Sequence, residues 1–325
     1  MIEIREALSG ADLEAFFRLP ERVYQGDPFY IPTRIEDVLA TLGGAQRAWV
    51  ALEEGEPVAR VAAWRSSSAG ILGLFEALAG HPEAVKRLFQ EAIGWLQTEL
   101  IVGPMDGDTW HRYRVNIGPF DQPPFFSEPY NPPYYEALWT SNGFTVLERY
   151  YSKQVDPAAV VAFLADKRDN ALAAGYRLRS LDRSRFRDEL RTIYELSRRI
   201  FARNFLYTEI SEDDFLRLYD GAERLIDPDL VLFAHAPDDE AVGFLFAYPD
   251  RGGAVDFKTL GVLPGHRRSG VAAALFHEGH RRAVEKGYRI ANHCLFKEGN
   301  PSGDLDGGTG SLLRTYHLYR YTPGA

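Results

Sequence analysis

The apolar pattern of this chain runs through one succession of elements twice, and no other feature of the sequence restricts its fold as much. In the first pass Ile2 and Ile4 alternate as a strand, and Leu13, Phe16 and Phe17 share a helical face entered through Ser9 and Asp12. Residues 49–53 and 58–64, joined through Gly55, read as a β-hairpin, and 71–78 as a strand. A helix over 82–100 carries Val85, Leu88, Phe89, Ala92 and Leu96 at helical spacing. A strand at 100–102, a Pro- and aromatic-rich connection over 119–133, a short helix over 134–141 and a strand over 145–154 follow.

The second pass opens with a helix over 157–174 and a strand over 176–181. Leu190, Ile193, Tyr194, Ile200 and Phe201 mark a long helix, and 215–225 a further one. Residues 230–234 and 242–247, joined through Asp238-Asp239, form the second hairpin. A strand over 254–263, a helix over 270–286, a strand over 288–296 and a last alternating strand over 316–321 complete it. The hairpins are the most alike, WVALEEGEPVARVAAW against LFAHAPDDEAVGFLFA; elsewhere the repeat lies in element order, not in letters. The expected fold class is therefore α+β: two tandem domains, 1–155 and 156–325, each a mixed, mostly antiparallel sheet flanked by helices.

Composition narrows the function. A formal net charge of −9 argues against a broad nucleic-acid surface. Cys294 is the single cysteine, so an intrachain disulfide and multi-thiolate metal sites are excluded. Residues 1–6 have neither a basic nor an apolar signal region, and no run approaches the roughly 18 apolar residues of a membrane span. The expectation is a cytoplasmic chain with no membrane or nucleic-acid partner and no metal.

The informative stretch is Leu260-Gly261-Val262-Leu263-Pro264-Gly265-His266-Arg267-Arg268-Ser269-Gly270-Val271-Ala272, in which a strand passes through a turn directly into a helix. Arg267-x-x-Gly270-x-Ala272 sets small residues where a side chain would block approach to the backbone. Amides at a helix N-terminus present positive partial charge, which suits a pyrophosphate. An ordinary strand-to-helix turn on a basic surface is the competing reading. Neither the P-loop nor the dinucleotide glycine fingerprint is met.

These residues resemble the GNAT superfamily of acyl-CoA-dependent N-acyltransferases. That family's phosphate loop reads Gln/Arg-x-x-Gly-x-Gly/Ala, commonly after a Val-x-Pro, here Val262-x-Pro264. The resemblance covers the chain from about Tyr176 onward. It implies that acetyl-CoA, or another acyl-CoA, is held by the amides of Arg267, Arg268, Ser269, Gly270, Val271 and Ala272. The splayed strand end at Leu260, Gly261 and Val262 would pair with the pantetheine arm. The first half is similar to the same fold: Asn131, Tyr135, Leu138 and Gly143-Phe144 look like the family's late helix signature. Where its phosphate loop belongs stands Ala79-Gly80-His81-Pro82-Glu83-Ala84, so this half is expected to be a degenerate GNAT-like domain without CoA.

Moving an acyl group from a thioester to an amine needs a base, an oxyanion donor and a proton for the leaving thiolate. Asp256, counted back from Arg267, takes the place where some family members carry a catalytic Glu; a strand charge paired with Lys258 is the alternative. The amide of Leu260 is the implied oxyanion donor. Pro301 to Gly308 replaces the family's tyrosine-bearing helix, so Tyr316, Tyr319 and Tyr321 of the last strand become acid candidates, set against plain core packing. Asn300 and Ser302 are candidates for the thioester end, and Asn204, Phe205 and Tyr207 for the acceptor.

Two resemblances to other sites fail. His277-Glu278-Gly279-His280 lacks the spacing of a zinc helix and reads as an exposed helix face; Asp304-Leu305-Asp306-Gly307 has no preceding strand and reads as a Gly-rich loop. The aromatic run from Phe125 to Tyr135 is either a pocket lining or a packing loop. Three functions follow: transfer of an acetyl or other short acyl group to a small-molecule amine by direct attack in a ternary complex; a non-catalytic CoA-binding sensor or interaction protein; or an aminoacyl-tRNA-dependent transferase, which the acidic balance opposes.

Overall fold

A computed structural model describes every residue except Leu8, Ser127, Asp220, Arg251, Gly324 and Ala325; Ser127 of the aromatic run thus lies outside the described residues. Two compact units make up the chain, Met1–Arg149 with Tyr316–Ala325, and Tyr150–Thr315. The expected boundary at 155/156 therefore differs from the observed division, and the last strand is shared between units.

The first unit contains β1 (Ile2–Glu6), α1 (Gly10–Val23), α2 (Ile35–Gly43), β2 (Arg47–Glu53), β3 (Glu56–Arg65), β4 (Gly70–Ala77), α3 (Pro82–Leu96), β5 (Ile101–Gly103), β6 (Val115–Gly118), α4 (Tyr135–Thr140) and the start of β7 (Thr145–Val155). Strands β1 to β4 pair antiparallel in sequence order, and β5 joins β4 in parallel. The spacing that marked α3 buries Val85, Leu88, Phe89, Ala92 and Leu96. They pack with Phe75, Phe144 and Trp139, whose ring lies 4.9 Å from Phe89 and 4.8 Å from Phe144. Each of the Val, Leu and Phe side chains among them contributes about 1.5–3 kcal/mol on burial. Helix α3 stops at Leu96, short of the expected 100, because Gln97 turns left-handed at φ 49°.

The second unit takes the rest of β7, α5 (Pro157–Ala173), β8 (Arg177–Ser180), α6 (Phe186–Phe201), α7 (Glu212–Leu218), β9 (Val231–His235), β10 (Ala241–Pro249), β11 (Val255–Val262), α8 (Val271–Glu285), β12 (Ala291–Lys297) and the start of β13 (Ser311–Tyr321). Strands β8 to β11 are antiparallel, β12 is parallel to β11, and Tyr150–Val155 of β7 close that edge antiparallel to β12. Asp156 caps α5 by accepting from the Ala158 amide at 2.9 Å, a cap worth about 1 kcal/mol.

The last strand crosses back. Tyr319, Arg320 and Tyr321 of β13 pair with Gly103, Val102 and Ile101 of β5, in the first unit. Among the described residues no helix is long and apolar enough to cross a membrane.

Candidate donor site and its counterpart

In the second unit β11 and β12 pair over three rungs, Val255 to Phe257 against Ala291 to His293, and no further. Beyond them β12 turns away: Leu295 adopts φ 58°, and its amide donates to Ser152 Oγ of β7 at 3.1 Å. Strand β11 meanwhile continues beside β10 to Val262, which leaves Lys258, Thr259 and Leu260 half-buried along an open slot. That slot leads into a short 3₁₀ turn over Pro264–His266 and then the N-terminus of α8, capped by Gly270 at φ 82°.

Each residue of the turn has a definite place. Arg267 is tied inward, its Nε 3.4 Å from the Val262 carbonyl and its Nη2 3.3 Å from that of Ile200. Ser269 Oγ donates to the His266 carbonyl at 2.7 Å. Arg268 is exposed, Ala272 half-buried and Val271 buried. Gly270 also serves packing: a Cβ there would sit 3.1 Å from the Lys167 carbonyl of α5. Gly261 likewise makes room for Ile200 of α6. An open strand edge followed by first-turn amides beside an exposed guanidinium suits an extended arm that ends in phosphate.

Residues 190–301, inside this unit, match the family model described as Acetyltransferase (GNAT) family. The second unit therefore carries a segment of the GNAT acetyltransferase family. Protein YghO of Escherichia coli is 24% identical over 277 residues, 76% of this chain and 68% of that protein. Bacterial ceramide synthase of Caulobacter vibrioides is 24% identical over 261 residues, 74% and 68%. A GCN5-related N-acetyltransferase from Sphaerobacter thermophilus superposes with TM-score 0.55 at 17% identity, covering 100% of this chain and 97% of that one. A tandem GNAT protein from the clavulanic acid biosynthesis pathway gives TM-score 0.55 at 12% identity, covering 100% and 99%. The tandem, mostly antiparallel α+β fold expected from the sequence is the fold observed.

Within this GNAT unit Asp256 is fully buried on the rung where the slot begins, opposite Asn292, whose Nδ2 donates to Asp256 Oδ1 at 2.8 Å. Asn300 and Ser302 lie just past β12, where Asn300 Oδ1 accepts from the Ser302 amide at 3.0 Å. Asn204, Phe205 and Tyr207 form the turn after α6, with Phe205 exposed and burial raising the Tyr207 phenol. Asp306 is a loop organiser: it takes Lys153 Nζ at 3.0 Å and the amides of Gly308 and Gly310.

Two expectations need correcting. Tyr316 and Tyr319, nominated as acids for the second half, fall in the first unit with Tyr321. There Tyr316 donates to Glu128, and Tyr319 stacks on Trp139 at 6.1 Å in the core. Alternation in β13 marked them as strand residues; it could not say which sheet the strand joins. The other correction concerns α8, whose His277 and His280 are buried, not an exposed face. His280 Nε2 lies 2.9 Å from His293 Nε2, its Nδ1 donates to the Phe276 carbonyl, and its ring stacks on Phe257 at 3.8 Å. No group of metal-ligand type forms among the described residues.

The corresponding slot in the first unit is closed. After two rungs with β5, β4 is taken up by the following loop: the Met105 amide donates to the Leu72 carbonyl at 2.8 Å, and Asp106 Oδ1 accepts the Leu74 amide at 2.6 Å. Gly73 permits this approach, since a Cβ there would meet the Met105 carbonyl at 1.9 Å. At the head of α3, Pro82 lacks an amide and His81 contacts Glu53 at 2.5 Å, with Glu83 in the first turn.

A polar cluster that the sequence reading missed lies beside this closed slot. Glu76, in the otherwise apolar β4, is 5% exposed and accepts from Tyr24 at 2.9 Å and Tyr135 at 2.6 Å. Burial pushes its carboxyl upward, against the pull of Arg60 and Arg112, and pushes both phenols well above their usual range. The signal was available: one carboxylate in Gly-Ile-Leu-Gly-Leu-Phe-Glu-Ala must be satisfied by something.

Proposed function

We propose that the protein transfers an acyl group from an acyl-CoA to an amine, with the second unit holding the donor. The observation that carries this reading is the open edge of β11 at Lys258 to Leu260, leading directly to the small-residue turn that heads α8. The pantetheine arm would add its amides to that edge, and the pyrophosphate would meet the first-turn amides and Arg268. In the reaction the amine nitrogen attacks the thioester carbonyl, a C–N bond forms and the C–S bond breaks. The amine's proton passes to a base, and the departing thiolate takes one up. We assign the base to Asp256, directly or through water, and the oxyanion contact to the Leu260 amide. Asn300 and Ser302 would line the thioester end, and Asn204, Phe205 and Tyr207 the acceptor side.

The relative named bacterial ceramide synthase favours one refinement. A ceramide is an N-acylated long-chain amino alcohol, so a long-chain acyl donor and a long-chain amine stand beside the acetyl group and small amine suggested by the sequence. The test titrates CoA into the full chain and then assays short- and long-chain acyl-CoAs against both kinds of amine. A stoichiometry near one is expected. Arg268→Glu should weaken CoA binding by about tenfold or more, as loss of a charge-assisted phosphate contact does. Asp256→Asn should keep that affinity and lose about 10²–10⁴-fold in turnover. Normal CoA affinity in Arg268→Glu, or two CoA molecules per chain, would refute the donor assignment. CoA binding with no transfer to any amine would favour the non-catalytic alternative.

A further inference from the structure

The Glu76 cluster borders a cavity of about 40 Å³, lined among others by Glu76, Asp106, Arg112, Tyr113, Tyr130 and Tyr135. At roughly 10–15 Å³ for each water, it has room for about three heavy atoms. Both phenol hydroxyls reach the same oxygen of Glu76, Oε2, and no basic side chain among the described residues pairs with its carboxylate. The nearby guanidiniums are committed elsewhere. Arg112 pairs with Asp106 at 3.5 Å, and Arg60, the cross-strand neighbour of Glu76, donates to the Phe16 carbonyl at 2.6 Å and lies over the Phe16 ring. The second oxygen of a 95% buried carboxylate is thus left for whatever enters the cavity, since Glu76 is only 5% exposed. An acyl donor is excluded here by the loop that closes the slot.

We propose that this cavity binds the primary ammonium group of an amine ligand, with Glu76 as its counter-ion. The proposal concerns the first unit and stands apart from the acyl-CoA reading. Arg60 and Arg112 act on Glu76 only from a distance, and a buried carboxylate with no directly paired cation is costly; an ammonium would add a paired charge and a hydrogen-bond donor. The walls are compatible with the same ligand, since Tyr113, Tyr130 and Tyr135 line the cavity with aromatic rings. The small volume excludes a quaternary head. Because the Asp106 carboxylate already answers Arg112 and the Arg114 guanidinium is engaged with Tyr113, an anion gains little. Groups facing Glu76 or its cavity are Tyr24 from the end of α1, Tyr30, Arg60 from β3, Asp106, Arg112 and Arg114 from the closing loop, and Tyr134 and Tyr135 at the start of α4.

The probe is ethylammonium, with tetramethylammonium and acetate as comparisons, followed by saturation-transfer NMR on the full chain without CoA. Ethylammonium should bind in about the millimolar range expected for three heavy atoms. Glu76→Gln, with its aromatic circular dichroism unchanged, should weaken it about tenfold. In the unmutated chain binding should weaken as pH falls and Glu76, whose carboxyl burial raises, takes up a proton, which keeps the test decisive if the variant does not fold. Undiminished binding to Glu76→Gln, equal binding of tetramethylammonium, preference for acetate, or a flat pH profile would each overturn the proposal. CoA titration of the same samples reads the donor site separately.

Discussion

Glu76 shows what one residue contributes against the fold it sits in. Below the ordinary carboxylate value of about 4.3 it is protonated in both folded and unfolded chains and has no pH-dependent effect. Its folded value is raised, chiefly by burial. As pH climbs, the unfolded chain ionises first, so stability is lost until the folded carboxyl has ionised too. Gln keeps an oxygen for both tyrosine hydroxyls and carries no charge. Glu76→Gln should therefore gain thermal stability over the parent as pH rises above about 4.3, with the two converging at the acid end. A melting-temperature difference independent of pH would show that the carboxyl is not held against its solvation. The same scale explains why Arg268 serves better than Gly270 as a probe of the donor loop. Bulk at Gly270 would strike the α5 backbone and strain a left-handed residue whatever it did to phosphate.

At the scale of elements, α8 illustrates how a helix can be legible in its position and misread in its face. The helix expected over 270–286 is observed over Val271–Glu285, with Ala273, Ala274 and Ala283 buried. Its histidines looked solvent-facing because histidine is a polar letter. Both are buried; His280 meets His293 of β12, and burial depresses both of these rings, the latter to about 3. The unfolded value is about 6.5, so these neutral rings contribute stability above that pH, and the contribution falls away toward pH 3 as the unfolded chain binds protons that the folded one refuses. His293→Gln should flatten the loss of stability below about pH 6.5 relative to the parent. Denaturant melts at several pH values would read this, and parallel curves would remove the pair from the acid response.

At the scale of the whole molecule, the decisive feature is that the chain's last strand completes the first unit. Residues Tyr319 to Tyr321 cover β5, and Tyr319 is fully buried against Trp139. Ending the chain after Thr315 should expose β5 and loosen the α3–α4 core while β8 to β10 keep their pairing. Hydrogen exchange would show protection lost at Ile101 to Gly103 and retained at Val231 to His235. Loss confined to the second unit would contradict the division described.

The sequence by itself determined the order of elements, the two-fold repetition, the resemblance of the second half to GNAT acyltransferases and the turn that heads α8. All of these rest on local signals: periodicity, a helix-capping glycine, and a short motif whose residues are neighbours in the chain. The tertiary structure alone decided which sheet the last strand joins, because an alternating strand such as Thr-Tyr-His-Leu-Tyr-Arg-Tyr carries a face but no address. It also decided which slot is open. Asp106 closes β4 of the first unit from 32 residues beyond the Leu74 amide it accepts, and β12 leaves β11 through a left-handed turn at Leu295. Glu76, Tyr24 and Tyr135 meet from distant parts of the chain, and long-range packing, not spacing, makes them one cluster.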